Sequence, residues 1–185
     1  MGFTALYDSC VLYPAPLRDL LVRLGGTGLF RARWTNQIHD EWIRNLLENR
    51  TDLSRERLER TRDLMNDHIF DSLVTDYEDL IPSLTLPDPD DRHVVAAAIR
   101  GRADVIVTFN LKDFPASILS HYSIDVQHPD VFLRHLLDLD GGLICATIRQ
   151  QRLDLRKPPK PAEEMLDTFG EQGLHGLSDR ARKSF

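Results

Sequence analysis

The sequence has little of several things, and each shortage narrows the field. It has two cysteines in 185 residues, Cys10 and Cys145. Two cysteines so far apart make neither a disulfide framework nor a zinc-type spacing, which fits a reducing cytoplasm. Cys10 reads as a small buried hydrophobe. No apolar run approaches the roughly 18 residues of a membrane span. The first residues pass straight into a strand pattern rather than a basic segment followed by an apolar run, so no secretory signal is visible and a cytoplasmic location is expected. Net positive charge is also missing: the formal net charge is −6, which argues against a protein that coats nucleic acid. No internal repeat is present.

What charge there is lies unevenly. Residues 1–140 carry 15 basic and 23 acidic side chains, a net −8, while residues 141–185 carry 8 and 6, a net +2. Of the 23 basic residues 19 are arginine. A GC-rich genome produces that bias, and so does a need for arginine's bidentate grip on phosphate. With 42% apolar residues the chain can build one domain of ordinary size plus an extension.

Strand-like and helix-like patterns alternate. Residues 3–7 and 104–109 read as strands, 29–30 and 124–126 as shorter ones. Leucines 17, 20, 21 and 24 recur at helical spacing and stop at the glycines at 25, 26 and 28. Thr35 or Asn36 caps a helix with Ile38, Trp42 and Leu46 on one face, and Ser54 caps a charged helix over 55–68. From residue 73 the chain is loop-like, and its prolines at 82, 87 and 89 lead to a turn that delivers Asp90 and Asp91 to a helix over 92–99, where negative charge suits the helix dipole. Helices are expected over 129–139 and 143–155, separated at Gly141–Gly142, and over 162–170 after a basic, proline-rich connector. Such alternation with right-handed crossovers gives a three-layer α/β/α fold around a parallel sheet. Residues 1–140 suffice for it, leaving 141–185 as a helical, basic extension. In that extension Arg149, Arg152, Arg156, Lys157 and Lys160 are candidate phosphate contacts, and the apolar residues 143, 144, 148, 165, 166 and 169 offer the alternative that it packs over the sheet.

Four acids stand out. Asp8 closes the first strand, Glu41 lies on the second long helix, Asp91 opens a later helix, and Asp113, with Asn110, follows the 104–109 strand. Ligands of parallel α/β sheets bind outside the carboxyl ends of the strands. Acids gathered there repel one another unless a cation neutralises them, so a divalent-metal site is the simplest reason for the pattern. Taken singly, each acid is equally an ordinary cap, turn or surface residue. His39 and His93 read as surface or packing residues.

Asp8 within Ala-Leu-Tyr-Asp-Ser-Cys-Val-Leu, Glu41, Asp91 within Asp-Asp-Arg-His-Val-Val-Ala-Ala-Ala, and Thr108-Phe109-Asn110-Leu111-Lys112-Asp113-Phe114 together resemble a PIN domain over residues 3–135. More closely, they are similar to the VapC-type ribonuclease toxins of bacterial toxin–antitoxin pairs, in a longer subgroup with a C-terminal extension. That resemblance implies a Mg²⁺- or Mn²⁺-dependent ribonuclease with RNA as substrate, tRNA among the candidates. It also implies a cognate antitoxin and, as one assembly, a homodimer. It assigns Asp8, Glu41, Asp91 and Asp113 to metal binding and catalysis, with Asn110, Ser9, Thr108 and Asp90 supporting them. An asparagine at 110, where the family's last motif begins, removes one charge that Asp113 is placed to supply. Two other phosphate-handling folds fit less well. A haloacid-dehalogenase phosphatase needs a second Asp at position 10, which is Cys, and a receiver domain needs an acidic pair near the first strand. A PIN-like module that has lost activity and only binds RNA or protein is the remaining alternative.

Overall fold

The computed structural model describes residues 2–184. Its centre is a parallel sheet of short strands: β1 (Thr4–Tyr7), β2 (Arg31–Arg33), β3 (Val105–Val107) and β4 (Asp125–Gln127), in the order β2-β1-β3-β4. The register pairs Ala5 with Ala32 on one side and with Val105 on the other, and Ile106 with Val126. β1 and β3 are buried on both faces, and their unbroken apolar sequence reflects it.

The connections are helical. After β1 come α1 (Ser9–Leu12) and α2 (Ala15–Gly25); after β2 come α3 (Asn36–Asn49) and α4 (Arg55–His68). Thr35 caps α3 by accepting the Ile38 N–H at 3.0 Å, and Ser54 caps α4. The loop-like stretch from 73 contains two 3-10 turns, Glu78–Ser83 and Pro89–Asp91, before α5 (Arg92–Arg100). α6 (Ala116–Leu119) links β3 to β4, and α7 (Pro129–Asp154), α8 (Ala162–Glu171) and α9 (His175–Arg182) complete the described chain. Layers of helix thus enclose the sheet, the three-layer α/β/α arrangement the alternation predicts.

Local details refine the expectations. The short strand falls at 31–33 rather than 29–30, because Gly28 takes φ +80° in the turn and displaces the pairing segment. The break expected at Gly141–Gly142 falls one residue earlier: α7 is two helical segments meeting at a kink at Asp140, whose φ −153° and ψ 80° are non-helical. The Asp140 carboxylate then accepts the Leu143 N–H at 2.9 Å and restarts the helix as a cap. Finally, α9 carries no signal strong enough to be expected. Its start is held by Asp130, which accepts the Gly176 and Leu177 N–H groups, and a Cβ at Gly176 would sit 2.5 Å from Arg134 Cδ.

The extension is part of the core. Ile144, Ile148, Met165, Leu166, Phe169, Leu174 and Leu177 are buried in the same hydrophobic cluster as Leu6, Leu17 and Leu21. Gln151 donates to the Pro16 carbonyl and Arg23 pairs with Asp154 at 2.7 Å, tying α7 to α2. The packing alternative raised by the apolar residues of 141–185 is therefore the one the structure adopts. No helix among the described residues is long and apolar enough to cross a membrane.

Candidate metal centre at the strand ends

The chain leaves β1 toward β2 on one side and returns to β3 on the other, so the ends of β1 and β3 flank the point where the strand order reverses. Crevices at such points take ligands. Asp8 stands at the end of β1. Its own N–H bonds the Val107 carbonyl at 3.1 Å, and its carboxylate accepts the Ser9 N–H at 2.7 Å, the Thr108 hydroxyl at 2.7 Å and the Cys10 thiol at 3.2 Å. Only 3% of Asp8 is exposed. Burial raises its pKa, the three donors oppose that rise, and the charge of Glu41 adds to it. The carboxylate is therefore fixed in orientation but electrostatically costly.

Thr108 is the hinge of this arrangement. Its hydroxyl hydrogen goes to Asp8 while its oxygen accepts the Asn110 N–H at 3.0 Å. Cys10 is more than a small hydrophobe. Its sulfur receives the Phe109 N–H at 3.3 Å and lies 3.3 Å from the Thr108 hydroxyl. Burial, and next the charge of Asp8, push the thiol up to about 12, so it serves as a protonated donor rather than a thiolate.

Asp91 occupies the N-cap position of α5 without making a side-chain cap. Burial raises its pKa to about 7, followed by the charges of Asp8, Asp88 and Asp113, with His93 acting the other way. Two expected acids, Asp8 and Asp113, thus lie within electrostatic reach of a third, Asp91. Glu41 reaches Asp8 in the same sense, but its nearest partner is a histidine: His93 Nε2 lies 2.7 Å from Glu41 Oε1. His93 is 3% exposed and its Nδ1 has no partner, so it is neither a surface residue nor simple packing. His39, too, is fully buried and hydrogen-bonded at both ring nitrogens.

Other expectations land less centrally. Asp90 is exposed, and its N–H serves the cap at Asp88. Asp88, which carries no sequence signal, also acts on Asp91, after Asp8 and before Asp113. The Asn110 side chain is exposed and contributes through its backbone N–H, whereas Asp113 is half-buried. Among the basic residues of the extension, Arg149 donates to the Ser184 carbonyl and Lys160 to the Thr168 hydroxyl. Arg152 is half-buried, with its Nε unpartnered, and Arg156 and Lys157 are exposed on the connector. These five therefore sit in different local environments rather than in one shared contact.

Among the described residues no three His, Cys, Asp or Glu side chains are grouped closely enough to hold a metal ion. The donor set still fits a hard cation. Mg²⁺ prefers oxygen, keeps several waters and uses only one or two carboxylates directly, and the carboxylate repulsion that bears on Asp91 is what such an ion relieves.

The PIN domain family model matches residues 4–112. The chain belongs to the PIN domain family. A second model, the VapC50 C-terminal domain, matches residues 129–183, beginning at the first residue of α7. Similarity extends to a Mycobacterium tuberculosis protein named "Putative ribonuclease VapC50", 42% identical over 109 residues, 59% of this chain and 63% of that protein. The chain thus matches under two thirds of that relative's length. No solved structure matches. Beside its acids, this chain places Cys10 beneath Asp8 and His93 against Glu41, and its C-terminal unit shares the core.

Proposed function

We propose that the protein is a Mg²⁺- or Mn²⁺-dependent endoribonuclease acting as the toxin of a toxin–antitoxin pair. The observation that supports this reading is that the charges of Asp8, Asp88 and Asp113, from separate elements, bear on Asp91 beside the β1/β3 switch point. Asp8 and Asp91 would hold the ion directly. Glu41 would bind the ion directly or orient the attacking water, with His93 holding its carboxylate. Asn110 or Asp113 would complete the set through water, and Ser9 and Thr108 keep Asp8 aimed. A divalent ion held there would supply Lewis acidity to the scissile phosphate and an activated water. Residues 1–140 carry this chemistry, and the extension carries the phosphate contacts Arg156 and Lys157.

An unrestrained ribonuclease is toxic, so a cognate antitoxin that covers the acids, with a basic side chain among them, is part of the same proposal. Expression of the protein alone should arrest growth, and co-expression of its cognate antitoxin should restore it; failure of any flanking small protein to bind would count against the pairing.

The purified protein should cleave RNA with Mg²⁺ or Mn²⁺ and stop on chelation. Intact RNA under all metal conditions would support the alternative, an inactive binding module. Asp113→Asn should raise the metal concentration for half-maximal cleavage several-fold, since it removes one charge from the set; an unchanged titration would make Asp113 a turn residue only.

A further inference from the structure

Away from the acids, a cleft of about 650 Å³ opens between α2, α4, the end of α7 and α8, a size typical of small-molecule sites. Its walls are largely apolar, with Val22, Met65, Leu155 and Met165 among them, and Leu64 at its rim is 59% exposed. Cations also line it: Arg18, Arg23 and Lys160, against the single carboxylate of Asp19. Two of the cations are engaged. Arg23 pairs with Asp19 and Asp154, and Lys160 donates to Thr168.

Arg18 is different. Its Nη1 donates to the carbonyls of Leu12 and Tyr13 at 2.7 and 3.2 Å, and its guanidinium lies 4.6 Å over the Trp42 ring. Among the described residues no carboxylate stands at ion-pair distance from it, and Nε and Nη2 have no protein acceptor. Burial lowers its pKa to about 10 despite the charge of Asp19, as expected of a cation short of counter-charge. A second polar group in the same cleft is also incomplete. Gln151 is 2% exposed, and its Oε1 has no partner while Nε2 bonds Pro16.

We infer that this cleft binds an amphipathic anion, its apolar body against Val22, Met65, Leu155 and Met165 and its anionic head on the free edge of the Arg18 guanidinium. Arginine's fork suits a carboxylate or phosphate head, and the apolar walls supply affinity for an alkyl or aromatic body. Because none of the acids of the metal centre lines this cleft, the inference stands whether or not the protein cleaves RNA.

Titration of the full chain with decanoate and with decanol, followed by calorimetry and thermal shift, tests it. Decanoate should bind and raise the melting temperature, with decanol at least about ten-fold weaker for want of a charge. Arg18→Gln should reduce decanoate to the level of decanol. Leu64→Glu changes only an exposed rim residue, so it keeps the test decisive if Arg18→Gln fails to fold; it should weaken decanoate several-fold by placing like charge at the mouth. Phe70→Glu, 96% exposed and outside the cleft, should leave binding unchanged. Equal binding of decanoate and decanol, no binding of either, or full binding retained in Leu64→Glu would overturn the inference.

Discussion

Asp8→Asn and Asp91→Asn should each lower metal-dependent RNA cleavage by at least about 100-fold, the scale on which charged groups at a reacting centre act. The two variants should part company in stability. Asp8 is buried and holds three donors, so an asparagine there exchanges relief of charge for a mismatched NH₂ group. Asp91 has no such bonds, and burial and the acids around it hold its pKa at about 7. Its folded value lies above the unfolded value near 3.8, so its contribution to stability is complete below about pH 4 and is lost as pH rises through 7. Asp91→Asn should therefore leave stability unchanged near pH 4 and raise it at pH 8 without divalent ions. Partial exposure of Asp91 lets water screen much of the repulsion, leaving about 1 kcal/mol, or roughly 2–4 °C in melting temperature for a chain of this size. Adding Mg²⁺ should stabilise the parent protein and shrink that difference. Full cleavage by a clean Asp8→Asn preparation would sink the metal-centre assignment.

The largest pH effect on the fold should come from His39. This residue is fully buried and sits in a closed hydrogen-bond chain. Trp42 Nε1 donates to His39 Nδ1 at 3.0 Å, and His39 Nε2 and Trp34 Nε1 both reach Asn66 Oδ1, at 3.1 and 2.8 Å. Because Nδ1 accepts, the ring proton is on Nε2 and the imidazole is neutral. Burial, the principal cause, lowers its pKa to about 4. The unfolded chain takes up a proton near pH 6.5 that the folded protein refuses, so this stability is intact above pH 6.5 and disappears as pH falls toward 4. The slope is about 1.4 kcal/mol per pH unit and the total roughly 3 kcal/mol. Asp91 works in the opposite direction over the same range, so the effect is read as a difference. In urea titrations at pH 7, 6 and 5, His39→Gln should start below the parent protein, because Trp42 and Asn66 lose their partner, and the gap should narrow with each step down in pH. A constant gap would mean that His39 titrates alike in both states.

Much of this architecture is legible in the residues because its signals are local. Capping by Thr35 and Ser54, the glycine stop of α2 and the bounds of α4 depend on bonds made within a few residues. The break before Gly141–Gly142 is local in the same way: glycines lower helix propensity, and Asp140 leaves helical dihedrals and caps the segment that follows. α9 escaped notice because its start is capped by Asp130, 46 residues earlier in sequence.

The candidate site divides along the same line. Sequence alone determined that Asp8, Asp91 and Asp113 stand where strands end or helices begin, since apolar runs and turn residues mark those boundaries, and that a parallel sheet would bring such ends to one edge. Only tertiary structure decided which groups meet there. Asp91 is an N-cap preceded by a 3-10 turn, outside the phase of the helix that carries His93, so periodicity could not foretell that one residue would turn toward Asp8 and the other toward Glu41. Cys10 and Thr108 are 98 residues apart and meet only because β1 and β3 are adjacent. Such contacts depend on distance through space, and hydrophobic patterning, which reports only which side of an element is buried, does not encode it.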